Sequence, residues 1–144
     1  MAAWIILYGA VQASAPKILR ASDRSEPQLI RAARDWAVAL FCVPAALTVA
    51  VALSSGPATW LTITLVIGLL IFGVIFAVNS SLHSYLILSF SQAERVTMDV
   101  GFYYMANAAG RLLGTVLSGL TYQIGGLAMV LGTAATMVAL SAMA

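Results

Sequence analysis

VGFYYMANAAGRLLGTVLSG, residues 100–119, is an apolar segment long enough to span a membrane, yet it carries an arginine, an asparagine and several small residues. At about 100° per residue in a helix, its polar and small side chains fall within one stripe covering less than half of the circumference. The larger apolar side chains lie mostly on the other side. The stripe is therefore predicted to face protein. Its members are Tyr103, Ala106, Asn107, Gly110, Arg111, Gly114 and Ser118.

Small residues recur at every fourth position within this segment. Side chains of this size let the backbone of a neighbouring helix approach closely, which is how membrane helices pack when hydrophobicity alone does not drive them together. We call these residues the small-residue stripe and predict that they pack against another helix. They are Ala106, Gly110, Gly114 and Ser118.

Arg111 lies near the middle of the segment, where a charge costs at least about 2.5–3.5 kcal/mol on insertion scales. One interpretation is that its planar guanidinium lines a water-filled pathway and binds an anion, with Asn107 and Tyr103 beside it. The other is a structural arginine bonded to Asn107, to backbone carbonyls or to an acidic residue of another helix. The anion-binding interpretation is favoured because the sequence has no acidic residue at comparable depth.

The composition is that of an integral membrane protein. Hydrophobic residues make up 62% of the 144 and charged residues 8%, with a mean hydropathy of +0.98, which is too apolar for a soluble domain. The basic residues cluster between apolar segments, so no nucleic-acid partner is expected. The single cysteine, Cys42, excludes an internal disulfide framework and a multi-cysteine metal site. We interpret it as a small buried hydrophobic residue.

The sequence predicts an all-α, polytopic helix bundle in the lipid bilayer, with about five transmembrane helices. A tight turn at 54–57 and a break at Gly125 and Gly126 separate neighbouring segments. Residues 17–35 are predicted to form a cytoplasmic loop with a short helix after Ser25, which has capping-box spacing to Gln28. The five segments are 2–16, 36–53, 59–90, 99–122 and 127–144.

Loop charges give the orientation. Lys and Arg crowd the connection between the first two segments, and Arg95 lies between the third and fourth. The other two connections contain neither residue. By the positive-inside rule the charged loops are cytoplasmic. The N-terminus is therefore predicted outside and the C-terminus inside.

A second polar cluster lies in the third segment, where Asn79 and His83 are one helical turn apart. Polar groups this dense are costly in lipid and should face another helix, a cavity or the interface. His83 is either a proton-titrating group or substrate ligand, or the donor of a structural hydrogen bond. We predict Asn79 and His83 as substrate-binding candidates beside Tyr103, Asn107 and Arg111.

The sequence contains no catalytic constellation, no metal-ligand cluster and no phosphate-cradling glycine loop. The lone histidine has no acidic residue beside it within the apolar segments. We therefore expect neither enzymatic activity nor a bound cofactor or metal.

Four stretches resemble the organoarsenical efflux permeases of the ArsJ type, within the major facilitator superfamily. NSSLHSYLIL (79–88) and VGFYYMANAAGRLLGTVLSGLTYQ (100–123) are the long, specific ones. YGAVQASAPKIL (8–19) and RSEPQLIRAARDWA (24–37) resemble an earlier part of the same proteins. The similarity covers nearly the whole chain.

The resemblance implies that the chain is a C-terminal fragment of a bacterial inner-membrane transporter, similar to spans eight to twelve of a twelve-span protein. It implies export of 1-arseno-3-phosphoglycerate, made by a partner glyceraldehyde-3-phosphate dehydrogenase, in arsenate resistance. A missing N-terminal half would complete the transport path. The alternatives are a permease half for another organic anion or sugar phosphate, and a membrane interaction subunit without transport activity of its own.

Overall fold

The computed structural model describes residues 2–19, 25–91 and 95–143, which form α-helices joined by short connections and contain no strand. Three of the helices, α2, α3 and α4, are long and apolar enough to cross a membrane by length and composition. The described chain is thus all-α and has the helices of a membrane protein. The elements are α1 (Ala2–Leu19), α2 (Glu26–Ala52), α3 (Thr59–Phe90) and α4 (Val96–Met143).

The helix predicted after Ser25 is confirmed, and it is continuous with the second apolar segment. The side chain of Gln28 accepts a hydrogen bond from the backbone N–H of Ser25 at 3.1 Å, and the helix then runs from Glu26 without interruption. The later part of the predicted loop is therefore not a short separate helix but the first part of α2, which continues into the predicted segment that begins at Trp36. The reason is that the capping residues start a helix and no breaker stops it before the apolar residues follow. Residues 20–24 of that loop lie outside the described residues.

Helix α3 covers the residues predicted for the third segment. The connection before it contains Gly56, whose φ of 147° favours glycine, and Pro57, which lacks an N–H with which to continue α2. At the end of α2 the Ser54 hydroxyl donates to the carbonyl of Val51 at 2.8 Å. These residues place the turn where the sequence predicted it.

Helix α4 contains both the fourth and the fifth predicted segments, interrupted by non-helical backbone at the two glycines. Gly125 has φ −143° and ψ 21°, and Gly126 has φ 61° and ψ −154°. We call residues 96–124 the first arm and residues 127–143 the second arm. Gly110 on the first arm and Met137 on the second line one groove, so the second arm folds back beside the first. Ala144 lies outside the described residues.

The best-packed region joins α1, α2 and α3. Its buried residues include Leu82 and Val78, which are 0% and 2% exposed. The second arm packs on α2, since a Cβ on Gly132 would lie 3.6 Å from the Thr48 methyl group. The buried members of the core cluster are Ala15, Leu29, Ala32, Val78 and Leu82.

The first arm is exposed along most of its length. Between residues 101 and 125 only Tyr103, Leu117 and Thr121 are buried or half-buried. Cys42 is exposed as well, which corrects its interpretation as a buried residue. It lies with Val43 and Ile67 along a largely apolar groove between α2 and α3. Both surfaces have the character of faces that meet lipid or another helix.

Candidate anion-binding cavity

Arg111 lines a cavity of about 400 Å³ between α1, α3 and the first arm of α4. Helix α1 contributes Tyr8, and α3 contributes aromatic residues and a hydroxyl. We call this space the charged cavity, because Arg111 is the charged residue among those that line it. The lining residues are Ile5, Tyr8, Phe72, Gly73, Phe76, Ser80, Asn107 and Arg111.

The lining of the charged cavity includes neither aspartate nor glutamate. Among the described residues the guanidinium of Arg111 donates no hydrogen bond to another side chain or to a carbonyl. The backbone carbonyl of Arg111 accepts a hydrogen bond from Thr115 Oγ1 at 2.8 Å, but this bond does not involve the guanidinium. A guanidinium stays protonated and keeps five N–H donors in a planar fork. The cavity therefore presents a fixed positive charge with free donors.

A second cavity, of about 250 Å³, lies between α3 and the two arms of α4. Phe76, Ser80 and Asn107 line both spaces. We call the second space the polar cavity, because most of the residues that line it carry an amide, imidazole or hydroxyl group. The lining residues are Phe76, Asn79, Ser80, His83, Tyr103, Ala106, Asn107 and Ser141.

His83 is oriented by its own helix. Its Nδ1 lies 2.9 Å from the backbone carbonyl of Asn79, and since a carbonyl only accepts, Nδ1 is the donor. The neutral ring then has Nε2 free as an acceptor. The side-chain Oδ1 of Asn79 is buried and has no partner among the described residues. An unpaired buried oxygen costs free energy, and this one is enclosed by the packed chain and does not face the cavity.

Tyr103 connects the first arm to α3. Its hydroxyl lies 3.3 Å from Ser84 Oγ, and Ser84 Oγ also donates to the carbonyl of Ser80 at 3.0 Å. Because Ser84 has one hydrogen to donate, Tyr103 is the donor in the shared contact. The bond holds the otherwise exposed first arm against α3 at the polar cavity.

The structure thus brings the five predicted substrate-binding residues to the linings of two cavities that share three residues. Arg111 and Asn107 line the charged cavity, and Asn79, His83, Tyr103 and Asn107 line the polar one. Their role in substrate binding stays a prediction.

The small-residue stripe faces open space in the described chain. Its members are exposed, and a Cβ built on Gly110 or on Gly114 would meet no atom within 4 Å. Gly110, Gly114 and Ser118 line a groove of about 430 Å³ between the two arms of α4. Close packing of another helix on the stripe is therefore not made by the described residues and stays a prediction.

Tyr8 and Phe76 belong to the site although sequence reasoning did not select them. Their ring centroids are 6.2 Å apart, and both line the charged cavity. Single aromatic residues in apolar helices are common and give no signal of a site. The backbone carbonyl of Gln12, one turn from Tyr8, accepts a hydrogen bond from the Ser81 hydroxyl at 3.3 Å. That bond fixes α1 against α3 beside the cavity.

No protein-family model, curated protein or solved structure matches the chain.

Proposed function

We propose that the chain is the C-terminal part of a secondary transporter that exports a small organic anion across a bacterial inner membrane. The observation that carries this proposal is Arg111, a permanent positive charge in an apolar helix, at a cavity whose lining contains no carboxylate. A cation in such a place needs an anion or water to offset its desolvation. A transported anion would meet that need.

The surroundings of Arg111 suit a small anion. Asn107 and Ser80 supply neutral hydrogen-bonding groups beside the guanidinium, and Tyr8 adds a phenol. The remaining lining is apolar and aromatic, as in small-molecule sites where a few polar groups fix the ligand. A guanidinium donates two parallel bonds to phosphate or carboxylate oxygens, so both classes of anion fit.

The particular substrate that we propose is 1-arseno-3-phosphoglycerate, which would make the chain part of an arsenate-resistance permease. Support comes from the resemblance to organoarsenical efflux permeases, carried by the stretches 79–88 and 100–123. These same stretches contribute residues to both cavities. Another organic anion or a sugar phosphate is the alternative within transport.

In this proposal α1, α2, α3 and each of the two arms of α4 cross the membrane. This gives five spans, with the N-terminus outside. Alternating access needs two halves around one site. A further transporter half is therefore the proposed partner, and the anion would bind between it and the charged cavity. The enzyme that forms the arsenical is proposed to be glyceraldehyde-3-phosphate dehydrogenase.

A membrane interaction subunit without transport activity is the second candidate. The observation that favours it is the exposed first arm, whose small-residue stripe is open in the described chain. This candidate predicts a stable product that co-purifies with a second membrane protein whether or not Arg111 is present.

The decisive experiment measures arsenate resistance in cells that produce the complete transporter, with the dehydrogenase co-expressed. Arg111→Ala is expected to abolish resistance while the protein remains inserted, and Arg111→Lys to impair it because lysine lacks the planar fork. Leu112→Ala is the matched control, since Leu112 is an exposed apolar neighbour on the same helix. Normal resistance with Arg111→Ala would refute the proposal.

A further inference from the structure

The exposed face of α2 changes character along the helix. Arg31 and Arg34 are exposed near its N-terminal end, and the apolar Val38, about one turn further on, is 48% exposed. Cys42 follows and is exposed as well. At about 100° per residue, Arg31, Val38 and Cys42 lie within roughly 40° of one another around the helix axis. Charge therefore gives way to apolar surface along one face of a single helix.

Trp36 marks the depth at which this change occurs. It is half-buried and lies two residues after Arg34, where the apolar part of α2 begins, and tryptophan is enriched at membrane–water interfaces. Along the helix, Arg34 and Arg31 lie about 3 Å and about 7.5 Å before Trp36. In the membrane arrangement proposed above, both guanidinium groups are therefore at the depth of the lipid headgroups.

The apolar part of this face borders a groove of about 400 Å³ between α2 and α3, and Cys42 lines it. None of the described residues that line the groove is charged. The two helices meet closely along it, since a Cβ on Gly68 would lie 2.6 Å from Leu47 Cδ2. On the outer side Ile67 and Ile71 are 51% and 48% exposed. The groove is therefore an apolar channel that is open to the surroundings of the helices.

The groove lies at a depth that the chains of one lipid leaflet reach. Counted from Trp36 along α2, Cys42 is about 9 Å away and Ala46 about 15 Å away. The hydrocarbon core of a bilayer is roughly 30 Å thick, so one leaflet fills about 15 Å of it. A lipid whose headgroup lies beside the two arginines therefore has its acyl chains at the level of the groove.

The charges at the headgroup level select among lipids. Arginine donates paired hydrogen bonds to phosphate oxygens, and basic residues beside a membrane attract anionic lipids. A zwitterionic headgroup also brings a cationic group, which Arg31 and Arg34 repel. Asp35 is exposed next to Arg34 and opposes the attraction, but two positive charges outweigh one negative charge. The face therefore favours a headgroup with a net negative charge.

We propose that this face of α2 binds an anionic phospholipid, with the phosphate at Arg31 and Arg34 and an acyl chain in the groove that Cys42 and Ala46 line. Charge and apolar surface follow one another at the spacing of headgroup and chain in this class of lipid. The proposal does not depend on transport, and it assigns a partner to a surface outside both cavities.

Native mass spectrometry of the purified chain in detergent tests the proposal, because it counts bound lipids directly. Dioleoyl phosphatidylglycerol is the anionic probe. Dioleoyl phosphatidylcholine has the same chains and no net charge, and dihexanoyl phosphatidylglycerol has the same headgroup on short chains. Each arginine beside an anionic lipid contributes about fivefold in affinity. Dioleoyl phosphatidylglycerol should therefore bind more tightly than both other probes.

Three variants test the headgroup contacts. Arg31→Gln and Arg34→Gln should each weaken dioleoyl phosphatidylglycerol about fivefold. Arg95→Gln is the matched control, because it removes an exposed arginine that lies outside α2, and it should leave the affinity unchanged. Asp35→Asn should tighten the binding of the anionic lipid, which a folding defect would not do.

A fourth pair of variants tests the groove. Ala46 is exposed and lines the groove, so Ala46→Leu fills space that an acyl chain would occupy. It should remove much of the advantage of dioleoyl over dihexanoyl phosphatidylglycerol. Ala108→Leu makes the same change at an exposed position of the first arm and should keep that advantage.

Equal affinity for dioleoyl phosphatidylglycerol and dioleoyl phosphatidylcholine would overturn the proposal, as would equal effects of Arg31→Gln and Arg95→Gln. The same spectra show whether two copies of the chain associate. A dimer that is lost with Ala46→Leu, without a change in bound lipid, would assign the groove to a second copy and overturn lipid binding there.

Discussion

Replacing Leu82 by alanine is the sharpest test of how the helices are held together. Leu82 is 0% exposed and packs in the cluster that joins α3 to α1 and α2, with Ala15 and Leu29. The substitution removes three carbon groups and their van der Waals contacts with the cluster; no transfer from water is involved, because lipid or detergent surrounds the side chain when the helices separate. The cavity left behind costs about 24 cal/mol per Å³, so we expect a loss of about 1–3 kcal/mol in the free energy of unfolding.

The control is the same substitution at an exposed position. Leu113 is 67% exposed on the first arm, so Leu113→Ala removes the same atoms without opening a cavity. We expect its free energy of unfolding to stay within about 0.5 kcal/mol of the parent. Both variants are measured by reversible unfolding in mixed micelles with increasing sodium dodecyl sulfate, followed by circular dichroism.

The comparison also concerns the site, because α3 carries Asn79, Ser80 and His83 beside Leu82. Leu82→Ala should loosen the packing of α3 on α1 and displace these three side chains, so we expect weaker ligand binding as well. If Leu82→Ala and Leu113→Ala lower the free energy of unfolding by the same amount, the buried cluster does not hold the three helices together. That result would refute this prediction.

Gly126→Ala should lower the free energy of unfolding by about 1–3 kcal/mol, because its φ of 61° and ψ of −154° suit glycine alone; Gly119→Ala, in open space within the helix, should be neutral or stabilising in the same assay. Gly114→Ala should leave the stability of the isolated chain unchanged, since a Cβ there meets no atom within 4 Å. Reduced co-purification of Gly114→Ala with a partner helix would then identify the small-residue stripe as a packing face. Unchanged co-purification would contradict that role. Tyr103→Phe and Ser84→Ala should show a coupling free energy of about 0.5–1.5 kcal/mol in a double-mutant cycle; additive effects would mean that their 3.3 Å contact does not stabilise the arm.

The polar residues that line the two candidate cavities were predictable because charged and polar side chains are rare in an apolar helix. Arg111 and Asn107 lie in a segment where polar groups are costly, and helical periodicity alone places them on one face with Tyr103. Asn79 and His83 were recognisable for the same reason. Tyr8 and Phe76 were not, because an aromatic side chain in an apolar helix is ordinary whether it meets lipid, another helix or a cavity.

Helix limits were predictable where local signals decide them. The turn around Gly56 and the break at Gly125 and Gly126 follow from backbone freedom that only glycine has. The capping residues near Ser25 correctly predicted where a helix begins, but hydropathy marked only the apolar part from Trp36 and did not show that both belong to one continuous helix.

The sequence by itself determined the helices, their apolar character, the position of the glycine breaks and the residues that carry charge and polarity. Tertiary structure alone decided that α1, α3 and the first arm meet around the charged cavity, and that the small-residue stripe lies open instead of packed. The physical reason is that helix formation and the cost of a polar group depend on local sequence. Which faces meet depends instead on van der Waals contacts between residues far apart in the chain, such as Leu82 and Leu29.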